Sequence, residues 1–192
     1  MQHNANKTYN RILVIIMVFV FTIIALIRVN EFLSGSTALQ RKHVFSYFPD
    51  TIDLNNNFFY DKNNKQHFIK EYNGKYTVLM FLATWCKYCA KHFPLLDAVY
   101  PKLEMNNINI IPIFDHSDNK QDIAVFYQKL NINKLKPSTT NDTAMLEKLN
   151  VSSIPYYVVI NEQGQAIGTM YPKWNSEDII NLFEELRYLA HK

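Results

Sequence analysis

Two cysteines stand three residues apart in the stretch Trp85-Cys86-Lys87-Tyr88-Cys89, and the 192-residue chain has no others. A thiolate is a nucleophile, and a second thiol within reach resolves the mixed disulfide that the first one forms, so a pair at this spacing fits thiol–disulfide exchange. The pair falls where a continuous apolar run, residues 76–83, gives way to helical periodicity in Phe93, Leu96, Val99, Tyr100 and Leu103. At such a junction the free backbone N–H groups and the positive end of the helix dipole favour a thiolate on the first sulfur. Lys87 adds a positive charge, which places the Cys86 pKa in the range of about 3.5–7.5 known for such pairs, with Cys89 as the resolving thiol one turn on. Two blander readings compete: a pair of core cysteines, or half of a metal site. The metal site needs two more ligands, and His3, His43, His67, His92, His116 and His191 include no pair at zinc-ligand spacing. No metal and no cofactor is expected.

The elements that must position this pair follow from patterning. Continuous apolarity over 76–83 suits a central strand covered on both faces. A helix is expected from about Trp85 to Met105, with Pro94 inside it as a kink. Residues 109–114 read as a second buried strand. Ser117 or Asp118 reads as the N-cap of a helix bearing Ile123, Phe126, Tyr127 and Leu130, and 131–137 as a connector. Asp142 or Thr143 opens a shorter helix. Residues 156–160 and 165–170 form an antiparallel pair across an Asn-Glu-Gln-Gly turn, and a last helix starts at Ser176. Upstream, 51–54 and 58–60 alternate toward strand, 61–65 is turn chemistry, and 66–69 returns as the second arm of a small hairpin. Strands alternating with helices imply an α/β fold with helices on a central mixed sheet. Asp115 and His116 end the second buried strand, on the side where sites of open α/β sheets gather if that strand runs parallel to the first.

Composition narrows the function classes. The chain is 48% apolar and 19% charged, enough for a packed core. Its net charge of +3 comes from Lys7, Arg11 and Arg28, and the rest balances at 17 basic and 17 acidic residues. A nucleic-acid partner is therefore not expected, because that requires a basic face on the folded domain. Four glycines include neither a GxGxxG nor a GxxxxGK[ST] pattern. Residues 12–27 carry no charge, and Arg11 and Arg28 bracket them. At about 1.5 Å per residue this run covers roughly 24 Å, slightly less than a hydrocarbon core, and Val29, Phe32 and Leu33 extend it. The organisation expected is a tail over 1–11, a transmembrane anchor over 12–33 in contact with inner-membrane lipid, a tether over 34–44, and one folded domain over 45–192. A cleaved signal peptide with a site at Ser36-x-Ala38 is the alternative, and both put the domain on the far side of the membrane.

The segment FLATWCKYCAKHFP, residues 81–94, resembles the active-site segment of thioredoxin-fold proteins, and in particular the membrane-tethered TlpA/ResA/CcmG (DsbE) group of thiol–disulfide oxidoreductases. Pro94 matches that helix's proline, Val151-Ser152-Ser153-Ile154-Pro155 the segment ending in the family's cis-proline, and 156–164 the strand and turn that follow. The likeness runs over roughly 45–190, with a hairpin before the site and a helical insertion between Ser117 and Leu149. It implies a thioredoxin-like fold, a redox-active Cys86–Cys89 disulfide, and client binding along Ile154, Pro155 and Tyr156, since the backbone before a cis-proline facing the cysteines pairs with an extended strand. Trp85 is expected to shield the thiol and pack against a client. Three departures stand out. Met80 occupies the place of thioredoxin's buried Asp, His92 the place of a Glu three residues after the second cysteine, and Lys87-Tyr88 that of a proline-containing dipeptide. His92 would move protons for the second thiol, although a single helix His is more often a surface residue.

The resemblance also implies a place and partners: the bacterial inner membrane with the domain in the periplasm, exported client proteins with disulfides, and a membrane thiol reductant of the DsbD/CcdA kind. The work expected is reduction of client disulfides in cytochrome c maturation or oxidase assembly. A DsbA/DsbC-like oxidase or isomerase reverses the flow. A copper carrier of the SCO type is disfavoured, because that group uses a CxxxC spacing.

Overall fold

The computed structural model describes residues 17, 20–25, 45–170, 185, 186 and 188. The chain divides into two compact units, Met1–Lys42 and His43–Lys192. In the first, residues 17 and 20–25 are helical and exposed. The rest of the expected anchor over 12–33, the tail over 1–11 and the whole tether over 34–44 lie outside the described residues. No helix among those described is long and apolar enough to cross a membrane. Most of the helix expected from Ser176 lies outside them too, and of its described residues Leu186 is buried.

The second unit is built on one mixed sheet. Its strands are β1 (Phe45–Asp53), β2 (Phe58–Asp61), β3 (Gln66–Phe68), β4 (Tyr76–Leu82), β5 (Ile108–Phe114), β6 (Ser138–Thr139), β7 (Tyr156–Ile160) and β8 (Gln165–Met170). They lie side by side in the order β1-β8-β7-β4-β5-β6-β2-β3. β4 runs parallel to β5 and β5 to β6, while the other neighbours are antiparallel. Among the described residues the strands are joined by the α-helices α1 (Lys87–Met105), α2 (Lys120–Leu130) and α3 (Thr143–Lys148), with a short 3-10 turn, Ile69–Tyr72, between β3 and β4.

The continuous apolarity of β4 follows from its central place. Val78, Met80 and Leu82 face one core with Phe93 and Leu96 of α1 and Phe126 of α2. Leu79 and Phe81 face a second core with Met145 of α3 and Ile111 and Ile113 of β5. A strand alternates its side chains between two faces, so with both covered the run Val78–Leu82 is apolar at every position.

Register brings three loops to one edge of the sheet. Leu82 pairs with Phe114, so the turn after β4 and the loop after β5 leave the sheet together. Tyr156 pairs with Phe81 in the antiparallel sense, so the segment entering β7 arrives at that same edge.

Several boundaries differ from the sequence expectations, each for a physical reason. α1 begins at Lys87, because Cys86 adopts an extended backbone and serves as its N-cap. Helix α1 continues through both Pro94 and Pro101. α2 is capped by Asn119, whose Oδ1 accepts the Asp122 N–H at 2.9 Å. β1 reaches from Phe45 to Asp53, beyond the expected 51–54, because its residues pair with β8. The expected hairpin is present as β2 and β3, and the two-residue β6, just beyond the expected connector over 131–137, joins β2 to the sheet. Asp142 caps α3, as one of two expected positions, and its other oxygen accepts from Asn57 Nδ2 and the Phe58 N–H at 2.9 and 3.0 Å.

Candidate active site

Cys86 and Cys89 are joined in a disulfide with their Cα atoms 5.2 Å apart. The Cys89 backbone N–H donates to Cys86 Sγ at 3.1 Å, so the first sulfur is itself the capping acceptor of α1. An N–H that serves a sulfur in the disulfide serves a thiolate better, because a hydrogen bond to an ionised acceptor is stronger. The helix end contributes its dipole in the same direction. Cys86 keeps 4% of its surface open and Cys89 none, so an incoming group meets Cys86 first. These features give Cys86 the environment of an attacking sulfur and Cys89 that of an enclosed resolver.

The turn before α1 is held from two sides. The Cys86 N–H donates to the Ala83 carbonyl at 3.1 Å. The carboxylate of Asp118, in the loop after β5, accepts both the N–H and the hydroxyl of Thr84. Trp85 projects outward, 66% exposed, with its indole Nε1–H donating to Ser117 Oγ at 3.4 Å. Lys87 and Tyr88 are exposed as well.

Across the edge, the Ile154–Pro155 peptide is cis. Ile154, Pro155 and Tyr156 are half-buried. The Tyr156 hydroxyl donates to the Leu149 carbonyl at 3.1 Å, tying β7 to the end of α3. Trp85, Ile154, Asp115 and His116 line one groove of about 340 Å³. Asp115 is fixed by its own backbone, whose N–H donates to the Leu82 carbonyl at 2.8 Å. Burial opposes its charge, but hydrogen bonds from Ser117 and the nearby His116 outweigh that and hold the carboxyl below its usual range.

His92 lies on the buried face of α1, with only 2% of its surface open, and not on the surface where a single helix His commonly sits. It stands three residues after Cys89 on the same buried stripe as Phe93 and Leu96, and such neighbours share a helix face. Met80 is fully buried in β4. Thr84, Ser117 and Asp118 are the residues that sequence reasoning did not assign to the site. The signal for Asp118 was present, since it was recognised as a helix-capping type, but the local pattern could not say which of three adjacent cap formers was free for other use. Among the described residues no group of three or more His, Cys, Asp or Glu is placed to hold a metal ion.

Comparison with known proteins agrees with this geometry. A family profile described as thioredoxin-like matches residues 73–166. The chain is 22% identical over 126 residues to the thiol-disulfide oxidoreductase ResA of Bacillus cereus (strain ZK / E33L), covering 66% of this chain and 72% of the relative. It is 26% identical over 114 residues to ResA of Bacillus subtilis (strain 168), covering 57% and 63% of the two chains. Among solved structures, a thioredoxin-family thiol:disulfide interchange protein from Chlorobium tepidum TLS superposes with a TM-score of 0.60 at 14% identity, over 73% of this chain and 99% of that one, which establishes the fold. With a closed Cys-x-x-Cys pair at a helix N-terminus, a thioredoxin-like fold and ResA among its relatives, the chain is a thiol–disulfide oxidoreductase similar to the ResA/DsbE type.

Proposed function

We propose that this oxidoreductase works as a membrane-tethered reductant of the bacterial envelope, opening disulfides of exported proteins during cytochrome c maturation or oxidase assembly. The observation that carries the chemistry is the capped sulfur: Cys86 accepts the Cys89 N–H at the start of α1 and is the only one of the two cysteines with open surface. The tether reading rests on the uncharged run over 12–27 between Arg11 and Arg28. The direction of flow and the clients rest on the resemblance to the TlpA/ResA/CcmG group.

The steps balance as follows. In the reduced protein the Cys86 thiolate attacks one sulfur of a client disulfide, and the other client sulfur leaves as a thiolate that takes a proton. Cys89, deprotonated, attacks Cys86 Sγ in the mixed disulfide and expels the second client thiolate. The client gains two electrons and two protons, and the protein ends with its Cys86–Cys89 disulfide closed. A membrane dithiol of the DsbD/CcdA kind then reopens that disulfide by the same exchange in reverse, becoming a disulfide itself.

The reduction potential of the full-length protein tests the direction. A value well below about −200 mV supports a reductant, and one near the roughly −120 mV of DsbA overturns it in favour of an oxidase. Position is tested separately: cells expressing the protein should keep it in the membrane pellet, with the domain open to added protease only after the outer barrier is broken. A protein recovered in the cytosolic supernatant contradicts the envelope assignment.

A further inference from the structure

The groove beside Trp85 has an unusual lining for a surface that meets polypeptide. Its walls include Phe81, Ile113, Leu146 and Ile154, all apolar. Set into them is the carboxylate of Asp115, the one acidic group among the described residues of the lining, which include no Lys or Arg. His116, at its rim, has a side chain 85% exposed, with Nδ1 3.5 Å from Asp115 Oδ2. Asp115 does not swing out to water at little cost. Its backbone is hydrogen-bonded to Leu82 and, through its carbonyl, to the Asp118 N–H at 3.0 Å, and one carboxylate oxygen accepts the Ser117 N–H at 2.9 Å.

An occupant of this groove must satisfy both parts. An aliphatic or aromatic side chain covers the walls but strips water from a charged carboxylate without replacing it, which is costly. An acidic side chain is repelled. A long side chain with an apolar stem and a cationic head satisfies both, since Lys and Arg lay their methylenes along apolar surface and carry their charge to the tip. The groove is also lined by residues 151–154, and Ile154 begins the Ile154-Pro155-Tyr156 stretch along which a client strand is expected to pair, so a client side chain close to the reacting sulfur reaches it.

We propose that this groove is a specificity site for clients that carry a Lys or Arg within a few residues of the disulfide being exchanged, with Asp115 as the residue that reads the charge. The inference rests on the oxidoreductase reading of Cys86 and on Ile154, Pro155 and Tyr156 as the client-pairing edge.

The test uses the reduced full-length protein and three disulfide-bonded peptides that differ at one position next to a cysteine: Arg, Gln or Glu. The readout is the second-order rate of peptide reduction. The Arg peptide is expected to react about fivefold faster than the Gln peptide, the usual scale for one partly exposed charge pair, and the Glu peptide slowest. Lys87 is exposed and acts in the opposite sense, so the decisive quantity is the Arg-to-Gln ratio compared between wild type and Asp115→Asn. In the variant that ratio is expected to fall to about one. Asp115→Lys is expected to reverse the order and favour Glu. An Arg-to-Gln ratio that is the same in wild type and Asp115→Asn overturns the inference, whether or not the Lys variant folds. Equal rates on all three peptides in the wild type overturn it too, while leaving the oxidoreductase reading intact. A reduced protein that opens none of the peptides contradicts that reading, and the inference falls with it.

Discussion

Asp118 holds Thr84 by two hydrogen bonds, accepting its backbone N–H at 3.0 Å and its hydroxyl at 2.5 Å. Thr84 stands two residues before Cys86, so a carboxylate from the loop after β5 fixes the turn that delivers the reactive sulfur to the helix end. Two consequences separate by substitution. Asp118→Asn keeps an acceptor oxygen for Thr84 but removes a negative charge from the neighbourhood of Cys86, which favours the thiolate. The Cys86 pKa is expected to fall, read from ultraviolet thiolate absorbance against pH, with little loss of stability. Asp118→Ala removes the acceptor as well, and is expected to lower the urea unfolding free energy by about 1–3 kcal/mol through the unsatisfied Thr84 groups. A Cys86 pKa that rises in the Asn variant contradicts the electrostatic part of this account.

The same residue shows where sequence reasoning stops. Ser117, Asp118 and Asn119 are three consecutive helix-capping types, and local propensity cannot rank them. The choice falls to Asn119 because Asp118 is used by Thr84, a residue 34 positions away. The strand–Cys-x-x-Cys–helix core was legible because both faces of β4 are covered and its apolar run is therefore unbroken. β1 was only half legible: most of its residues face solvent, and its extent is set by pairing with β8 more than a hundred residues later. The burial of His92 could have been read, since Cys89, His92, Phe93 and Leu96 fall on one helical stripe, but a polar residue on a helix is normally assigned to the surface. The sheet edge that gathers Trp85, Asp115 and Ile154 depends on the parallel β4–β5 and antiparallel β4–β7 registers, which no local pattern encodes.

His92 has a second consequence. Its place one turn after Cys89, inside the core, suits a group that takes the Cys89 proton as Cys89 attacks Cys86. His92→Gln is expected to leave attack by Cys86 on a client nearly unchanged and to slow release of the mixed disulfide by about 10²-fold, the low end of general-base contributions. Acid-quenched samples analysed by mass spectrometry should show the mixed disulfide accumulating. Release at the wild-type rate, with the wild-type pH profile, contradicts the role.

Acid stability follows from carboxylates held ionised by the fold. Asp53 is lowered by backbone and side-chain hydrogen bonds from Asn55, Asp61 by the Lys65 N–H and Glu71 by the Phe68 N–H. In Asp115 burial opposes the same direction, and Ser117 and His116 outweigh it. A group whose folded pKa lies below its unfolded value binds fewer protons in the folded state, so the stability it gives is present above the unfolded pKa and lost as pH falls through the folded one. The urea midpoint is therefore expected to be flat above about pH 5 and to drop steadily below about pH 4. The Glu71→Gln variant should show a shallower acid limb. An unchanged slope contradicts the hydrogen-bond assignment.

The alkaline limb runs by the opposite sign. Tyr100 is half-buried, and burial, with Glu104 and Tyr72 adding to it, pushes its phenol up to about 12. The stability this group gives is complete below the unfolded tyrosine value near pH 10 and is lost as pH rises from there through the folded value. Tyr100→Phe should flatten the loss of stability between about pH 10 and 12. An identical alkaline limb in the variant contradicts it.

Capture of the exchange intermediate tests the central assignment most directly. The reduced full-length protein, as wild type, Cys86→Ser and Cys89→Ser, is mixed with a disulfide-bonded peptide and quenched in acid. Cys89→Ser should accumulate one peptide per protein, bound through Cys86, because nothing remains to resolve it. Cys86→Ser should bind none on the same timescale, since its remaining sulfur is fully enclosed. The reverse pattern, with the peptide on Cys89 and an active Cys86→Ser protein, would show that the capped sulfur at the start of α1 is not the one that attacks.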